Sequence, residues 1–259
     1  MKKLLLILFT VLFVFTASAL PKVLFDNTHA QTAGSAHWVI NSYYSDMADD
    51  IERMGFEVNS LDIGPIKYEV IKNFDILIIP EPNNPFTKQE INDIIKFTRE
   101  GGGLFLIADH YNSDRNNNGW DSVLIYNEFT EVFGFTFDKK TFSDAPVKGK
   151  RVEYSITKGV YNVGTWGGTS LKIVNPEIAE GVIFVQEKHG GNPYIAVAKY
   201  GKGRIVGIGD SSPFSDGTKS TGKKYHDNYN RDGFHHKQLN RNIIDFLSKK
   251  TGDDISIIK

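Results

Sequence analysis

The sequence predicts an α/β fold: a doubly wound, mainly parallel sheet with an antiparallel C-terminal extension. Three observations carry this. Strand-like apolar runs alternate with helical periodicity through the first half of the chain. Two of those runs, residues 75–79 and 104–108, are almost continuously apolar, as strands covered on both faces are. In the second half, three apolar runs follow one another across short Gly-containing connections, the pattern of hairpins.

Taken in order, residues 23–25 open as a buried strand that ends in Asp26-Asn27-Thr28-His29. Ile40, Tyr43, Tyr44, Met47, Ala48, Ile51 and Met54 then recur at helical spacing until Gly55 stops the helix. Residues 56–60 and 75–79 read as the next strands, the latter followed by Glu81. Thr87-Lys-Gln-Glu90 is a capping box, which places a helix over 88–100 with Ile91, Ile94, Ile95 and Thr98 inward. Gly101 to Gly103 end it, and strand 104–108 runs straight into Asp109 and His110. A further helix is expected over 123–133. The hairpin strands are 182–186, 194–199 and 204–208, the last leading into Asp210, Ser211 and Ser212. A polar loop then extends to Gly233, before a final helix with Leu239, Ile243, Phe246 and Leu247 on one face.

Composition narrows the function classes. Lys plus Arg is 30 and Asp plus Glu is 31, so the near-neutral chain has no bulk electrostatic footprint for nucleic acid or anionic membrane. Cysteine is absent, which removes disulfides, thiolate metal sites and a cysteine nucleophile. Lys2 and Lys3, the apolar run 4–15 and the Ala17-Ser18-Ala19 ending predict a secretory signal peptide over 1–19. The run is shorter than the roughly 20 residues of a spanning helix, so the expectation is one secreted or periplasmic α/β domain over 20–259, without a membrane anchor.

In open α/β sheets, ligands bind outside the carboxyl ends of the strands. Four predicted strands leave polar side chains at that edge: Asp26 and His29; Glu81; Asp109 and His110; Asp210 and Ser211. Clustered carboxylates call for a cation among them. A divalent metal held by Asp26, Asp109 and Asp210 is therefore the expectation, with His29 or His110 as base on a metal-bound water. His226, His235 and His236 fall in or beside the same loops, and the last two serve equally well as the start of the final helix.

Asp114, Asn116 and Asn118, followed by Gly119, open like an EF-hand calcium loop. Its twelfth position is Ile125 rather than a bidentate Glu, which leaves only a partial, non-EF calcium loop. Lys219, Lys223, Lys224 and Arg231, interleaved with Tyr225, Tyr229 and Phe234, read either as a lid that clamps a substrate or as a solvated loop.

The segments Phe25-Asp-Asn-Thr-His-Ala-Gln-Thr-Ala-Gly34, Gly101-Gly-Gly-Leu-Phe-Leu-Ile-Ala-Asp-His110 and Gly203-Arg-Ile-Val-Gly-Ile-Gly-Asp-Ser-Ser-Pro-Phe214 resemble the class I glutamine amidotransferase-like superfamily. They are most similar to its secreted branch, related to gliding-motility and intraflagellar-transport domains. The resemblance spans most of residues 22–248 and implies a flavodoxin-type fold. It does not imply glutaminase activity, because the family's Cys nucleophile has no counterpart. Two functions are expected. One is a metal-dependent hydrolase of small-molecule, phosphoester or glycan substrates. The alternative is a non-catalytic domain that binds a sugar or an envelope partner.

Overall fold

The computed structural model describes residues 19–218 and 226–249. Residues 1–18 of the expected leader, and Lys219, Lys223, Lys224 and Tyr225 of the polar loop, lie outside the described residues. No helix among the described residues is long and apolar enough to cross a membrane.

The first half alternates as expected: β1 (Lys22–Asp26), α1 (Ser45–Arg53), β2 (Glu57–Leu61), α2 (Tyr68–Ile71), β3 (Ile76–Pro80), α3 (Lys88–Glu100), β4 (Gly103–Ile107) and α4 (Ser122–Tyr126). Short strands follow, β5 (Phe135–Phe137), β6 (Phe142–Asp144), β7 (Thr165–Gly168) and β8 (Leu171–Ile173). The chain then completes the main sheet with β9 (Ala179–Phe184), β10 (Pro193–Tyr200) and β11 (Gly203–Ile208), and α5 (His236–Leu247) closes it.

The seven-stranded sheet has the order β2-β1-β3-β4-β11-β10-β9. Its first five strands are parallel, and β10 and β9 extend it antiparallel. This is the doubly wound architecture expected, with its switch point between β1 and β3.

Alternation along each strand builds two cores. Val23, Phe25, Ile76, Ile78, Phe105 and Ile107 pack on the face of α1 and α5, through Met47, Ile51, Leu239 and Ile243. Leu24, Leu77, Ile79, Leu104 and Leu106 face α3 and α4, through Ile94, Phe97 and Val123. Each fully buried aliphatic side chain is worth about 1.5–3 kcal/mol, so the register of β1, β3 and β4 is fixed by their own sequence.

Two helices differ from expectation, each for a tertiary reason. The helix expected from Ile40 begins at Ser45, because Asp216, far along the chain, accepts from Ser45 Oγ at 2.7 Å and from the Asp46 N–H at 2.8 Å. That carboxylate caps the first turn, while residues 39–44 form tight turns of their own. The helix expected over 123–133 stops at Tyr126, and a 3-10 turn follows at Thr130–Phe133. Asn127 explains the break: its amide both donates to the Phe137 carbonyl and accepts from the Phe137 N–H, each at 2.8 Å, drawing the chain towards β5. The ribbons β5–β8 and β6–β7 are too short to leave a periodic signal.

Candidate functional site

The carboxyl edge gathers the predicted acids into two groups rather than one. Asp26, at the end of β1, is fully buried. Its Oδ1 accepts from the Thr28 N–H and Oγ1, and its Oδ2 from Gln31 Nε2 and His29 Nδ1, the last two at 2.8 Å. The other ring nitrogen of His29 lies 3.2 Å from Glu90 Oε1, and Phe86 packs on the ring at 4.2 Å. Burial works to lower the His29 pKa, but the hydrogen bond and charge of Asp26, and then Glu90, outweigh it and raise it. His29 is thus tied between two carboxylates, fastening β1 to the capping box of α3. Both ring nitrogens are occupied.

The second group surrounds Arg115. Glu81 follows β3 with a left-handed φ of 32°, a strained conformation for a residue with a side chain. Its Oε1 accepts from Arg115 Nε at 2.5 Å, and Asp109 Oδ2 accepts from Arg115 Nη2 at 2.7 Å. Asp109 Oδ2 also accepts from Ser211 Oγ at 2.9 Å. Burial opposes the charge on Arg115, but the two carboxylates raise its pKa. Glu81 is pushed well above the ordinary carboxylate range by burial and by the charge of Asp109, against the pull of Arg115. Its Oε2 has no hydrogen-bond partner among the described residues.

Asp210 caps the next turn. Its Oδ1 accepts from the Ser212 N–H at 2.8 Å, and its Oδ2 from Thr165 Oγ1 and the Trp166 N–H at 2.7 and 2.6 Å. Burial and the charge of Asp109 raise its pKa to about 6, against these hydrogen bonds.

The cation expected among the carboxylates is thus supplied within the second group by Arg115, a residue that in the sequence looked like a spacer between Asp114 and Asn116. The close approach needs Gly34, where an added Cβ would sit 2.7 Å from the Arg115 carbonyl. Among the described residues, no group of three or more His, Asp or Glu side chains is arranged to hold a metal ion. Asp26, Asp109 and Asp210 do not form such a group.

The Asp114 loop is held by its own hydrogen bonds. Asp114 accepts from the Asn118 and Gly119 N–H groups. The amides of Asn116 and Asn118 both donate to the Asn83 carbonyl and to Asn84 Oδ1. The oxygens expected for calcium from Asp114 are engaged by backbone.

His236 is buried as the first residue of α5. Its Nδ1 donates to the Asn228 carbonyl at 2.6 Å and its Nε2 accepts from the Gly164 N–H at 3.0 Å, and burial lowers its pKa to about 4. His235 accepts from the Asn162 N–H. Both histidines therefore anchor the final helix. His110 differs: its Nδ1 bonds the Tyr111 carbonyl at 2.8 Å, so Nδ1 carries the proton. Its Nε2 lies 3.9 Å from Asp109 Oδ1, on a side chain 31% exposed.

Beside these acids lies a cavity of about 340 Å³, lined by Trp38, Tyr43, Trp166, Ser212, Ser215, His226, Asn228 and Arg231. Trp166 joins it to Asp210 through its N–H, and Trp38 joins it to the second group, with Arg115 5.9 Å from the indole ring. The sequence reading included His226 and Arg231 but missed both tryptophans. The usable signal was scarcity: the chain has three Trp, and two of them line this cavity.

No protein-family model matches the chain. Over 95 residues, 36% of its length, the chain is 25% identical to an uncharacterized protein of Aquifex aeolicus, and the match spans 37% of that relative. Among solved structures, it is similar to the mmIFT52 N-terminal domain, at TM-score 0.64 and 17% identity, covering 89% of this chain and 98% of that one. It is also similar to a ThuA-like protein from Bacteroides uniformis, at TM-score 0.52 and 15% identity, covering 90% and 94%. At these identities the likeness shows the fold alone, a flavodoxin-type α/β fold.

Proposed function

We propose that this chain is a ligand-binding domain whose site is the Trp38–Trp166 cavity at the carboxyl edge of the sheet, and that its ligand is a sugar. The observation that carries this reading is the division of labour at that edge. Glu81 and Asp210 are fully buried and Asp109 is 3% exposed. Those acids are bonded to Arg115, Thr165, Ser211 and backbone N–H groups, so they shape the edge rather than meet a substrate. The cavity instead offers indole and phenol rings with a few hydroxyl, amide and guanidinium groups. That mixture suits a pyranose, which presents an apolar C–H face and a polar rim. The volume falls at the small end of the roughly 300–1,000 Å³ of small-molecule sites, fitting one or two sugar units.

The test is titration of the purified chain with mono- and disaccharides, followed by tryptophan fluorescence. Saturable quenching that Trp166→Ala abolishes supports the reading. An unchanged spectrum with every sugar tried rejects it.

A metal-dependent hydrolase is the second reading, and His110 favours it: its Nε2, partly exposed beside Asp109, is placed to serve as a metal ligand or a general base. Hydrolysis of chromogenic esters, phosphoesters or glycosides that stops with chelator and with His110→Gln would establish it. In either reading we place the mature chain outside the cytoplasm, after cleavage following Ala19, within the superfamily's secreted branch. N-terminal sequencing of exported protein tests that placement.

A further inference from the structure

Two residues lining the cavity carry groups that can only donate hydrogen bonds, and among the described residues one has no acceptor and the other a single distant one. The indole Nε1–H of Trp38 is buried without a hydrogen-bond partner among the described residues, on a side chain only 7% exposed. Buried polar groups are nearly always paired, so an orphan N–H on a residue that lines a cavity points to a partner that arrives with the ligand. The second group is the guanidinium of Arg231. It lies 5.2 Å from the Trp166 ring centroid and 5.4 Å from that of Phe234. Its one polar contact among the described residues is a long hydrogen bond, 3.5 Å, from Nη1 to Asn228 Oδ1.

None of the cavity-lining residues is an Asp or Glu. This contrasts with the charges around it: Arg115 has Glu81 and Asp109, and Arg53 and Arg241 share Asp50. Arg231 sits over the Trp166 and Phe234 rings, and no carboxylate among the described residues is paired with it. A planar guanidinium beside two aromatic rings, whose one acceptor among the described residues is distant, matches a carboxylate in a paired, two-bond geometry.

We propose that the cavity selects an acidic sugar, a hexuronate, with the carboxylate on Arg231, the ring against Trp166 and a ligand oxygen on the Trp38 indole N–H. This rests on the sugar-binding reading above and narrows it. A hexose phosphate shares the oxyanion chemistry and serves as a separate arm of the test.

The experiment is calorimetric titration of the full chain with glucuronate and galacturonate, with glucose and galactose as neutral counterparts, and with glucose 6-phosphate. The indole N–H resonances are followed in parallel. Each hexuronate should bind at least about tenfold more tightly than its neutral counterpart, the scale of a charge-assisted pair. Arg231→Gln should erase that preference, bringing each hexuronate to within about twofold of its neutral counterpart measured on the same variant. One indole N–H should move on binding in wild type and be missing from the spectrum of Trp38→Phe. Equal affinity for acidic and neutral sugars overturns the charge selection and leaves the sugar-binding reading standing. Tighter binding of glucose 6-phosphate than of glucuronate overturns the assignment to a carboxylate. Failure of every sugar, charged or neutral, overturns both.

Discussion

The guanidinium of Arg115 donates through Nε to Oε1 of Glu81 at 2.5 Å, across 34 residues of chain. Glu81 is reached in a left-handed backbone conformation, and Arg115 simultaneously binds Asp109. This contact joins the ends of β3 and β4 beside the switch point and provides the positive charge that the acids there require.

Arg115→Met should be the most destabilising single change at this edge. It leaves two buried carboxyls without their cation, a loss of about 3–5 kcal/mol for a broken buried pair. Urea denaturation at pH 7 measures it. Glu81→Gln should cost far less, because burial already favours the neutral form of Glu81. A Glu81→Gln loss as large as that of Arg115→Met would show that Glu81 is ionised in the fold.

Asp210 imposes a pH dependence of known sign. Its pKa is raised from 3.8 to about 6 in the fold, so its contribution is most favourable below the unfolded value. That contribution is lost as pH rises towards 6, for a total on the order of 3 kcal/mol. Wild-type stability should therefore carry a component that falls between about pH 4 and 6 and that Asp210→Asn lacks. Denaturation midpoints across that range decide it, and parallel curves for the two proteins would refute the raised value.

His29 acts at a higher pH. Its pKa is raised from 6.5, so the stabilisation by Asp26 and Glu90 is complete below 6.5 and disappears as pH rises through the folded value. Wild type should lose stability above neutrality, and His29→Gln should be flatter across the same range. NMR titration of the His29 ring measures the folded pKa directly, and a value below 6.5 would contradict the bridge.

Thr87→Ala tests the sequence-legible capping box. Thr87 Oγ1 accepts from the Glu90 N–H at 3.2 Å, and Glu90 Oε2 accepts from the Thr87 N–H at 2.8 Å. Removing the hydroxyl should cost about 1 kcal/mol. Because Glu90 also holds His29 and the Ile66 N–H, Glu90→Ala should cost more than Thr87→Ala. Thermal melts of the two variants give the order.

Chelation separates the two functional readings. For a domain whose acids are neutralised by Arg115, EDTA should leave the melting temperature unchanged. A bound metal at a hundred times its dissociation constant would contribute about 2.7 kcal/mol, and its removal would lower the melt visibly.

The elements that the chain makes from its own neighbours were legible in the sequence. Apolar alternation in residues 23–25, 75–79 and 104–108 specifies buried parallel strands, because burial of their side chains outweighs every local alternative. Thr87 and Glu90 announce α3, since a capping box closes within four residues. The arrival of Asp26, Glu81, Asp109 and Asp210 at one edge follows from strand direction alone.

Contacts between distant segments decided the rest. Asp216 sets where α1 starts, and Asn127 ends α4 by pairing with Phe137. Which acids share a centre depends on side-chain reach across the edge. That reach divided Asp26 from Asp109 and put Arg115, rather than a residue pattern typical of metal ligands, between Glu81 and Asp109. The cavity is assembled from residues 38–43, 166, 212–215 and 226–231, which share no periodicity. Only the closing of the chain over the sheet brings the two tryptophans and Arg231 together, because a concave site is a property of the packing and not of any one segment.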